Sequence, residues 1–359
     1  MDDKLAFRHI DLNRWVGQVL ASAGLRTNDA AEVAESLLYA DRRGIRTHGV
    51  ARVPMYLERI RAGGIRPEAT PETLIDAGAL CLVHGHAAAG AVTAGHARRL
   101  ALIKARTLGV GLVLVRGGND IGALGYQVHD LATKGCVGLV ACNTDAIMCA
   151  PGGARATLGN NPVAIAFPFS EAVLDMACSA AAYGKVTRAA ARGELIPEGW
   201  AVDSDGKPTV HPKAAMAGAL VPAAGPKGFG LAFMVDALAA LSGATTSPFV
   251  PSFDGVPQTP QDLGLVVLAI DGVSVAEPDD VAARLGRLIA EVHDGRGPSE
   301  EAMYPGEPEH RVLQSLGDDV LVDAEVVAEL RLVAITTGVP LPVTSSTVPQ
   351  RTAGVHVNN

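Results

Sequence analysis

The chain has 359 residues, enough for two or three domains around a large hydrophobic core. Hydrophobic residues make up 48% and charged residues 19%, a balance typical of a soluble globular protein and unlike that of a disordered chain. The formal net charge of -8 argues against nucleic acid or an anionic membrane surface as the main partner, since both bind clustered lysine and arginine. A small-molecule ligand is therefore expected.

The beginning of the chain and the cysteines bear on the cellular compartment. The first residues, MDDKLAFRHIDLNRW, start with acids and lack the apolar segment of a signal peptide, and later apolar runs are too short to span a bilayer. A cytoplasmic protein is predicted. The cysteines are odd in number, lie among apolar neighbours and lack CxxC spacing, so we expect reduced core residues and no metal site. They are Cys81, Cys136, Cys142, Cys149 and Cys178.

Three helices are predicted in the first 65 residues. Apolar residues at intervals of three and four predict a helix that Asp11 caps. A second helix is predicted from Asn28 or Asp29, and a third is expected to end at Gly63 and Gly64. A helical unit this thin should pack on a distant part of the chain. The apolar stripe of the first helix comprises Leu12, Trp15, Val16, Val19 and Leu20.

From residue 77 onward, short apolar runs alternate with helical patterns, which is typical of an α/β arrangement. The stretch 303–311 is rich in proline and glycine and is predicted to be a loop. Strands are predicted over residues 80–83, 110–115, 137–142, 163–167, 173–176 and 263–270, and helices over 91–108, 126–133, 179–191, 228–241, 278–292 and 323–336.

Residues 40–66 place a histidine, basic side chains and a tyrosine on one short path. Two glycines flank His48, and a turn there lets the backbone approach a ligand closely because glycine has no Cβ. The pattern then becomes helical, with Arg52 and Tyr56 four residues apart on one face. His48, Arg52 and Tyr56 are therefore expected to face one pocket.

This trio suits proton transfer beside an anionic substrate. Histidine titrates near neutrality and is the most common general acid or base. Arginine can donate two parallel hydrogen bonds to a carboxylate, and the tyrosine hydroxyl can add a third contact. An ordinary helix start with surface arginines would show the same local pattern, so the residues by themselves leave both interpretations open.

No GxGxxG run occurs between a strand and a helix, so a conventional Rossmann domain is not expected. Three other glycine-rich turns could present backbone N–H groups to a phosphate, although each could equally be a plain tight turn. These turns lie at residues 117–122, 152–162 and 225–228.

A family resemblance is carried first by residues 43–52, which read RGIRTHGVAR, followed by Tyr56 and the GGI of residues 63–65. This pattern resembles the signature of the type-2 malate/L-lactate dehydrogenase family. That family also includes ureidoglycolate, sulfolactate and diketogulonate oxidoreductases and cyclic-imine 2-carboxylate reductases. Further matches in the same order are GALGY at 122–126, LGNNPVAIA at 158–166, LDMA at 174–177, YGKV at 183–186, IPEGW at 196–200 and KGFGL at 227–231.

The resemblance implies an α/β protein with a non-Rossmann nicotinamide-binding fold, in which a mixed sheet core is joined by a helical domain and a smaller third domain. It implies a homodimer that passes hydride between NAD or NADP and C2 of a small carboxylate-bearing substrate, a 2-hydroxy or 2-oxo acid such as malate or lactate. The expected domains are residues 1–70 with 312–359 (helical), 71–126 with 189–311 (cofactor-binding) and 127–188 (third).

The resemblance also implies residue roles. His48 would donate the proton during reduction, Arg52 would anchor the substrate carboxylate, and Tyr56 would contact the substrate. Thr47, Tyr183 and Gly184 complete the expected substrate-binding set. The cofactor is expected against Asp120, Ile121, Gly122, Ala123, Leu124, Thr144, Asp175, Met176, Ala177, Lys227, Gly306 and Glu307.

Asp120 departs from the family pattern and is also a catalytic candidate. Many family dehydrogenases have a histidine in an Asn-His-x-Gly turn, where this chain has an aspartate. Three roles are open: selecting a substrate with a protonated nitrogen such as a cyclic iminium, orienting His48 or Arg52, or capping the following helix.

Lys185 is a second departure. Imine reductases of the family can carry an acid near this position, so the lysine favours the hydroxy-acid members, whereas Asp120 favours imines. Besides a 2-hydroxy acid dehydrogenase, two alternatives therefore remain. One is a pyrroline- or piperideine-2-carboxylate reductase, and the other is a dinucleotide-binding protein that kept the scaffold without turnover.

Overall fold

A computed structural model describes residues 4–295, 297 and 302–345, so the end of the predicted helical domain, residues 346–359, lies outside the described residues. The helices are α1 (His9–Ser22), α2 (Thr27–Arg42), α3 (Val53–Ala62), α4 (Gly90–Leu108), α5 (Leu124–Thr133), α6 (Tyr183–Arg192), α7 (Pro212–Ala217), α8 (Pro226–Ser242), α9 (Gly272–Val275), α10 (Pro278–Asp294), α11 (Glu307–Leu316) and α12 (Ala324–Thr337). The strands are β1 (Lys4–Arg8), β2 (Glu72–Ala77), β3 (Leu80–His84), β4 (Val110–Gly118), β5 (Cys136–Cys142), β6 (Met148–Cys149), β7 (Ala156–Leu158), β8 (Val163–Ala166), β9 (Val173–Met176), β10 (Ala201–Val202), β11 (Pro208–Thr209), β12 (Ala219–Leu220), β13 (Leu263–Asp271) and β14 (Asp319–Asp323).

The main sheet has seven strands in the order β2-β3-β4-β13-β5-β8-β9. Neighbours β3 and β4 are parallel, and the other neighbouring pairs are antiparallel. The sheet is mixed because parallel and antiparallel pairs occur together, and β13, from late in the chain, lies between β4 and β5. The predicted mixed α/β fold is therefore confirmed. The predicted domain boundaries stay predictions.

The helical unit packs on the distant α12, as predicted. Apolar residues of α1, α2 and α3 share one core with Val327, Leu330 and Val333 of α12. Beside this core, β1 pairs antiparallel with β14, which joins the beginning of the described chain to its last part. A second sheet of five short strands has the order β11-β10-β12-β6-β7.

Two local predictions are wrong. Helix α1 starts at His9, and Asp11 does not cap it but lies in the first turn, where it pairs with Arg14 at 3.1 Å. The stretch 303–311, predicted to be a loop, contains the start of α11. Gly306 precedes this helix with φ 89°, and a proline occupies the first turn, so the residues that indicated a loop instead form a helix N-terminus.

Several further findings apply across the described residues. All five cysteines are buried and unpaired, as expected of reduced core residues. Among the described residues, no three His, Cys, Asp or Glu side chains gather in a way that could hold a metal ion. No described helix combines the length and apolarity needed to cross a bilayer.

Candidate active site

The predicted glycine turn around His48 consists of two short 3-10 turns, Arg46–His48 and Val50–Arg52, which meet at Gly49. Helix α3 follows directly and has a proline in its first turn. His48 therefore ends the first turn and Arg52 ends the second. Their separation depends on the backbone at Gly49.

His48 is half-buried and contacts its sequence neighbour. Its Nδ1 lies 2.9 Å from the Thr47 hydroxyl, and no described residue hydrogen-bonds its Nε2. Burial lowers the pKa of His48 below the ordinary imidazole value, the positive charge of Arg52 lowers it further, and Asp120 partly opposes both effects. The ring is therefore neutral at pH 7, with Nε2 available to a substrate.

Arg52 is held by two oxygen atoms. Its Nη1 donates to Asp120 Oδ1 at 2.9 Å, and its Nε donates to the Thr47 carbonyl at 2.8 Å. The Arg52 side chain is 17% exposed and that of Asp120 is 22% exposed, so the ion pair is largely desolvated. Burial opposes the charge of Arg52, but Asp120 together with Tyr56 and Asp254 outweighs it, and the pKa of the guanidinium is raised.

Asp120 is the centre of the polar contacts. Its Oδ1 accepts from Arg52, from the Tyr56 hydroxyl at 3.3 Å and from the Gly122 N–H at 3.1 Å. Burial would raise the pKa of this carboxyl, but the guanidinium of Arg52, then His48 and the Gly122 N–H, hold it below its ordinary value. Helix α5 has Ala123 as its N-cap, without a side-chain cap, so Asp120 does not cap that helix. It pairs with Arg52 instead.

The sequence did not indicate two further residues, Gln261 and Phe253, which contact Asp120 and Tyr56. Gln261 Oε1 accepts the Asp120 N–H at 2.9 Å. The Phe253 ring lies 6.1 Å from that of Tyr56 and 5.4 Å from the Arg52 guanidinium carbon. Both residues lie in the irregular stretch before β13, where no periodic pattern marks them.

The start of α6 adjoins the histidine turn, which brings Tyr183 and Gly184 to this region. A Cβ on Gly184 would lie 2.8 Å from the methyl carbon of Thr47, so glycine permits close packing there. Tyr183 is half-buried. The Lys185 ammonium lies 5.8 Å from the Trp200 ring centroid and so contacts the next loop.

Three predicted cofactor residues, Asp175, Met176 and Gly306, line one cavity of ≈ 110 Å³. Tyr39 in α2 and Arg43, directly after that helix, form part of the same wall. Ligand pockets typically measure roughly 300–1,000 Å³, so this cavity suits one ring or sugar of a dinucleotide and not the whole molecule.

The segment 120–125 connects the cavity with the His48 region. At one end Asp120 contacts Arg52, and at the other the Gly125 N–H donates to Asp175 Oδ2 at 2.7 Å. Burial raises the pKa of Asp175 to about 6, although the Gly125 bond opposes this. The intervening predicted side chains are buried, so the segment offers mainly backbone to a ligand. They are Ile121, Ala123 and Leu124.

Of the other predicted cofactor residues, Ala177 and Glu307 follow cavity residues directly in sequence, whereas Thr144 and Lys227 lie on other segments. Thr144 hydrogen-bonds the side chains of Asn160 and Asn161. Lys227 is exposed in the first turn of α8, and Ala177 follows β9 half-buried. Glu307 is buried and engaged by His293 at 2.8 Å and Arg311 at 2.7 Å, so its carboxylate serves the protein's own packing.

The family model described as Malate/L-lactate dehydrogenase matches residues 7–331. The chain belongs to this family. Its relatives include an L-sulfolactate dehydrogenase from Methanothermobacter thermautotrophicus, 35% identical over 297 residues (82% of this chain, 86% of the relative). A ureidoglycolate dehydrogenase (NAD(+)) from Escherichia coli O157:H7 is 41% identical over 232 residues (63% and 65%). A (2R)-3-sulfolactate dehydrogenase (NADP(+)) from Chromohalobacter salexigens is 33% identical over 323 residues (88% and 94%).

The fold is also that of solved family structures. The delta1-piperideine-2-carboxylate reductase from Pseudomonas syringae superposes with a TM-score of 0.81 at 30% identity, covering 92% of this chain and 99% of that one. The family resemblance predicted from the motifs is therefore confirmed. Relatives named for NAD(+) and for NADP(+) both occur in it.

Proposed function

We propose that this protein transfers hydride between NAD or NADP and C2 of a small 2-hydroxy or 2-oxo acid, with His48 exchanging the proton. The observation that carries the proposal is the half-buried His48 beside the Arg52 guanidinium, with imidazole Nε2 open and a carboxylate anchor on the next turn. A base and a cation so placed match a substrate whose carboxylate adjoins the reacting carbon.

In this proposal the protein residues bind the substrate, orient it and transfer one proton. Arg52 binds the substrate carboxylate through Nη2, which no described residue hydrogen-bonds. His48 Nε2 then faces the C2 oxygen, taking its proton during oxidation and returning it during reduction. A substrate carboxylate beside the ring opposes the effect of Arg52 and so favours imidazolium formation. Bound nicotinamide would supply or accept the hydride.

The residues present fit a dinucleotide bound along segment 120–125. The cavity at one end combines the Asp175 carboxylate with apolar surface and glycine backbone, which suits a sugar or ring. The other end adjoins Arg52 and the histidine turn. Relatives named for each cofactor support testing both NAD and NADP.

The test is spectrophotometric oxidation of NADH and NADPH with a panel of 2-oxo acids and cyclic imino acids, preceded by fluorescence titration of both cofactors. We expect turnover with at least one 2-oxo acid, and loss of turnover but not of cofactor binding in His48→Ala. Cofactor binding without any turnover would support the non-catalytic alternative. Full turnover by His48→Ala would refute the proton-transfer role.

A second candidate, a cyclic-imine 2-carboxylate reductase, is favoured by the Asp120 carboxylate on Arg52. Arg52 and Asp120 together present one positive and one negative charge, which complement a substrate that carries both a carboxylate and an iminium nitrogen. The solved reductase of similar fold is named for such a substrate. Lys185 contacts Trp200, and its contact does not distinguish the two substrate classes.

Asp120→His tests this second candidate, with Asp120→Asn as the control that only removes the charge. If Asp120 selects iminium substrates, kcat/KM for imines relative to 2-oxo acids should fall by about tenfold or more in both variants. An unchanged ratio would leave the ion pair with an orienting role only.

We also infer a homodimer, because α8 is apolar on both faces. Its inner face is buried, yet Phe233, Met234 and Leu241 on the outer face are 54%, 60% and 71% exposed. A helix that is hydrophobic all round is normally covered, and a second copy of the chain would cover it.

A further inference from the structure

The junction of the two 3-10 turns rests on a buried carboxylate. Asp41, in the last turn of α2, is 5% exposed, and its Oδ2 accepts the Val50 N–H at 2.7 Å. A Cβ on Gly49 would lie 1.9 Å from Asp41 Oδ1, so the carboxylate fills the space directly beneath the glycine. Asp41 therefore contacts the point where the turn of His48 gives way to the turn of Arg52.

We infer that Asp41 is a positioning residue, which fixes the backbone at Gly49 and Val50 and thereby sets the spacing between His48 and Arg52. This inference rests on the proposed function, because the spacing matters only if the two side chains act on one substrate. Asp41 itself contacts backbone and does not reach the imidazole or the guanidinium through any hydrogen bond in the described structure. Its influence therefore passes through the turn.

The surroundings of Asp41 make its contact sensitive to pH. Burial raises its pKa to about 7, while the Val50 N–H and Arg46 lower it and Asp323 raises it further. Arg46 in the first 3-10 turn and Asp323 at the end of β14 pair with each other at 3.1 Å, so their charges largely offset. Asp41 thus changes charge near neutrality, and the ionised form accepts the stronger hydrogen bond from Val50.

The consequence is a pH dependence that His48 does not account for. As pH falls through about 7, Asp41 takes up a proton, its bond to Val50 weakens and the turn loosens, so kcat/KM should decline. The pKa of His48 is lowered below the ordinary imidazole value, so the decline due to its own protonation comes at more acidic pH. In the oxidation direction two separate acidic limbs are therefore expected.

Asp41→Asn and Asp41→Ala separate the hydrogen bond from the charge. Asparagine keeps an acceptor for Val50 but cannot ionise, so kcat should fall only a few-fold and the limb near neutrality should disappear. Alanine removes the acceptor, and kcat should fall about a hundredfold with little change in cofactor KM. Asp29→Asn, which alters another carboxylate of α2 that pairs with Arg26 on the surface, should leave the profile unchanged.

Amide hydrogen exchange at Val50 tests the contact without any substrate. Exchange should be faster in Asp41→Ala than in wild type, and intermediate in Asp41→Asn. If the alanine variant does not fold, the pH profile and exchange of the asparagine variant decide the matter. A wild-type pH profile in Asp41→Asn, with His48→Ala inactive, would overturn the positioning role alone. Absence of wild-type turnover with every substrate would overturn the proposed function, and the exchange experiment would still report on the contact.

Discussion

His48 is oriented by the hydroxyl of the residue before it. Thr47 Oγ1 lies 2.9 Å from Nδ1, while the carbonyl of the same residue accepts from Arg52 at 2.8 Å. One residue therefore links the proposed proton carrier to the proposed carboxylate anchor. A hydrogen bond to one ring nitrogen fixes the orientation of the ring and thereby the direction of the other nitrogen, which here is Nε2.

Replacing Thr47 tests this orienting bond. Thr47→Val keeps the shape but removes the hydroxyl, so kcat should fall about tenfold or more, with a smaller change in KM, because the ring loses its fixed direction. Steady-state kinetics with the best substrate of the panel measures both values. Thr47→Ser keeps the hydroxyl and should retain most of the activity. Equal kcat in the valine and serine variants would show that the bond does not orient the ring.

At this scale the sequence could indicate which side chains matter but not how they pair. His48, Arg52 and Tyr56 were predicted to face one pocket from glycine placement and helical spacing, and the structure places Arg52 and Tyr56 on a common partner. That partner is Asp120, 68 residues from Arg52. No local pattern encodes a pairing over that separation, so the sequence left three roles for Asp120 open. The structure excludes the helix-capping role and shows the ion pair with Arg52.

Helix α3 is tied to the loop before β13 by a fully buried arginine. Arg59 is 0% exposed, and its guanidinium donates to the carbonyls of Phe253 and Thr259 at 2.8 Å each. The loop thereby holds the Phe253 ring against Tyr56 and Arg52. This arginine connects the packing of the helix with the wall of the candidate site.

Arg59→Leu should therefore weaken both stability and substrate binding. Leaving buried carbonyls without donors should lower the free energy of unfolding by about 3 kcal/mol, and the freed loop should raise substrate KM. Urea denaturation measures the stability, limited proteolysis between residues 250 and 260 measures the freedom of the loop, and steady-state kinetics measures substrate KM. Arg61→Leu, at an exposed position of the same helix, should change neither. Wild-type stability in Arg59→Leu would mean that the loop is held by other contacts.

Secondary structure was predictable where the pattern is local and periodic. The apolar stripe of α1 and the runs that form β4, β5 and β13 were found within a few residues of their observed bounds. Strands β1 and β14 were missed because they form only through pairing with each other, Leu5 with Val322 for example. The second 3-10 turn, Val50–Arg52, was predicted as part of the following helix, since a spacing of three residues is also compatible with an α-helix.

Over the whole molecule, the proposed site depends on segments that are far apart in sequence. Segment 120–125 follows strand β4, which lies next to the central strand β13, and spans from Arg52 in the helical unit to Asp175 at the sheet edge. Because β13 pairs antiparallel with β4, the loop before β13 lies at the end of β4. Gln261 of this loop thereby reaches the Asp120 N–H. The ordered motifs predicted the family, but not which cofactor residues would share a cavity.

The apolar outer face of α8 leads to a prediction about assembly. Asp236 is the sole charged residue between positions 228 and 242. It faces inward, where it binds the Asn143 side chain and the Ser247 N–H. The outer face of α8 therefore carries no charged side chain that would favour contact with water. Met234→Lys should therefore convert a dimer to a monomer, as measured by sedimentation equilibrium, because the lysine would be buried without a partner. Ile335→Lys, at a residue that is 77% exposed on α12, serves as the matched control and should stay dimeric. A wild-type protein that is monomeric at all concentrations would refute the dimer. A dimer that survives Met234→Lys but dissociates in Ile335→Lys would place the interface away from α8.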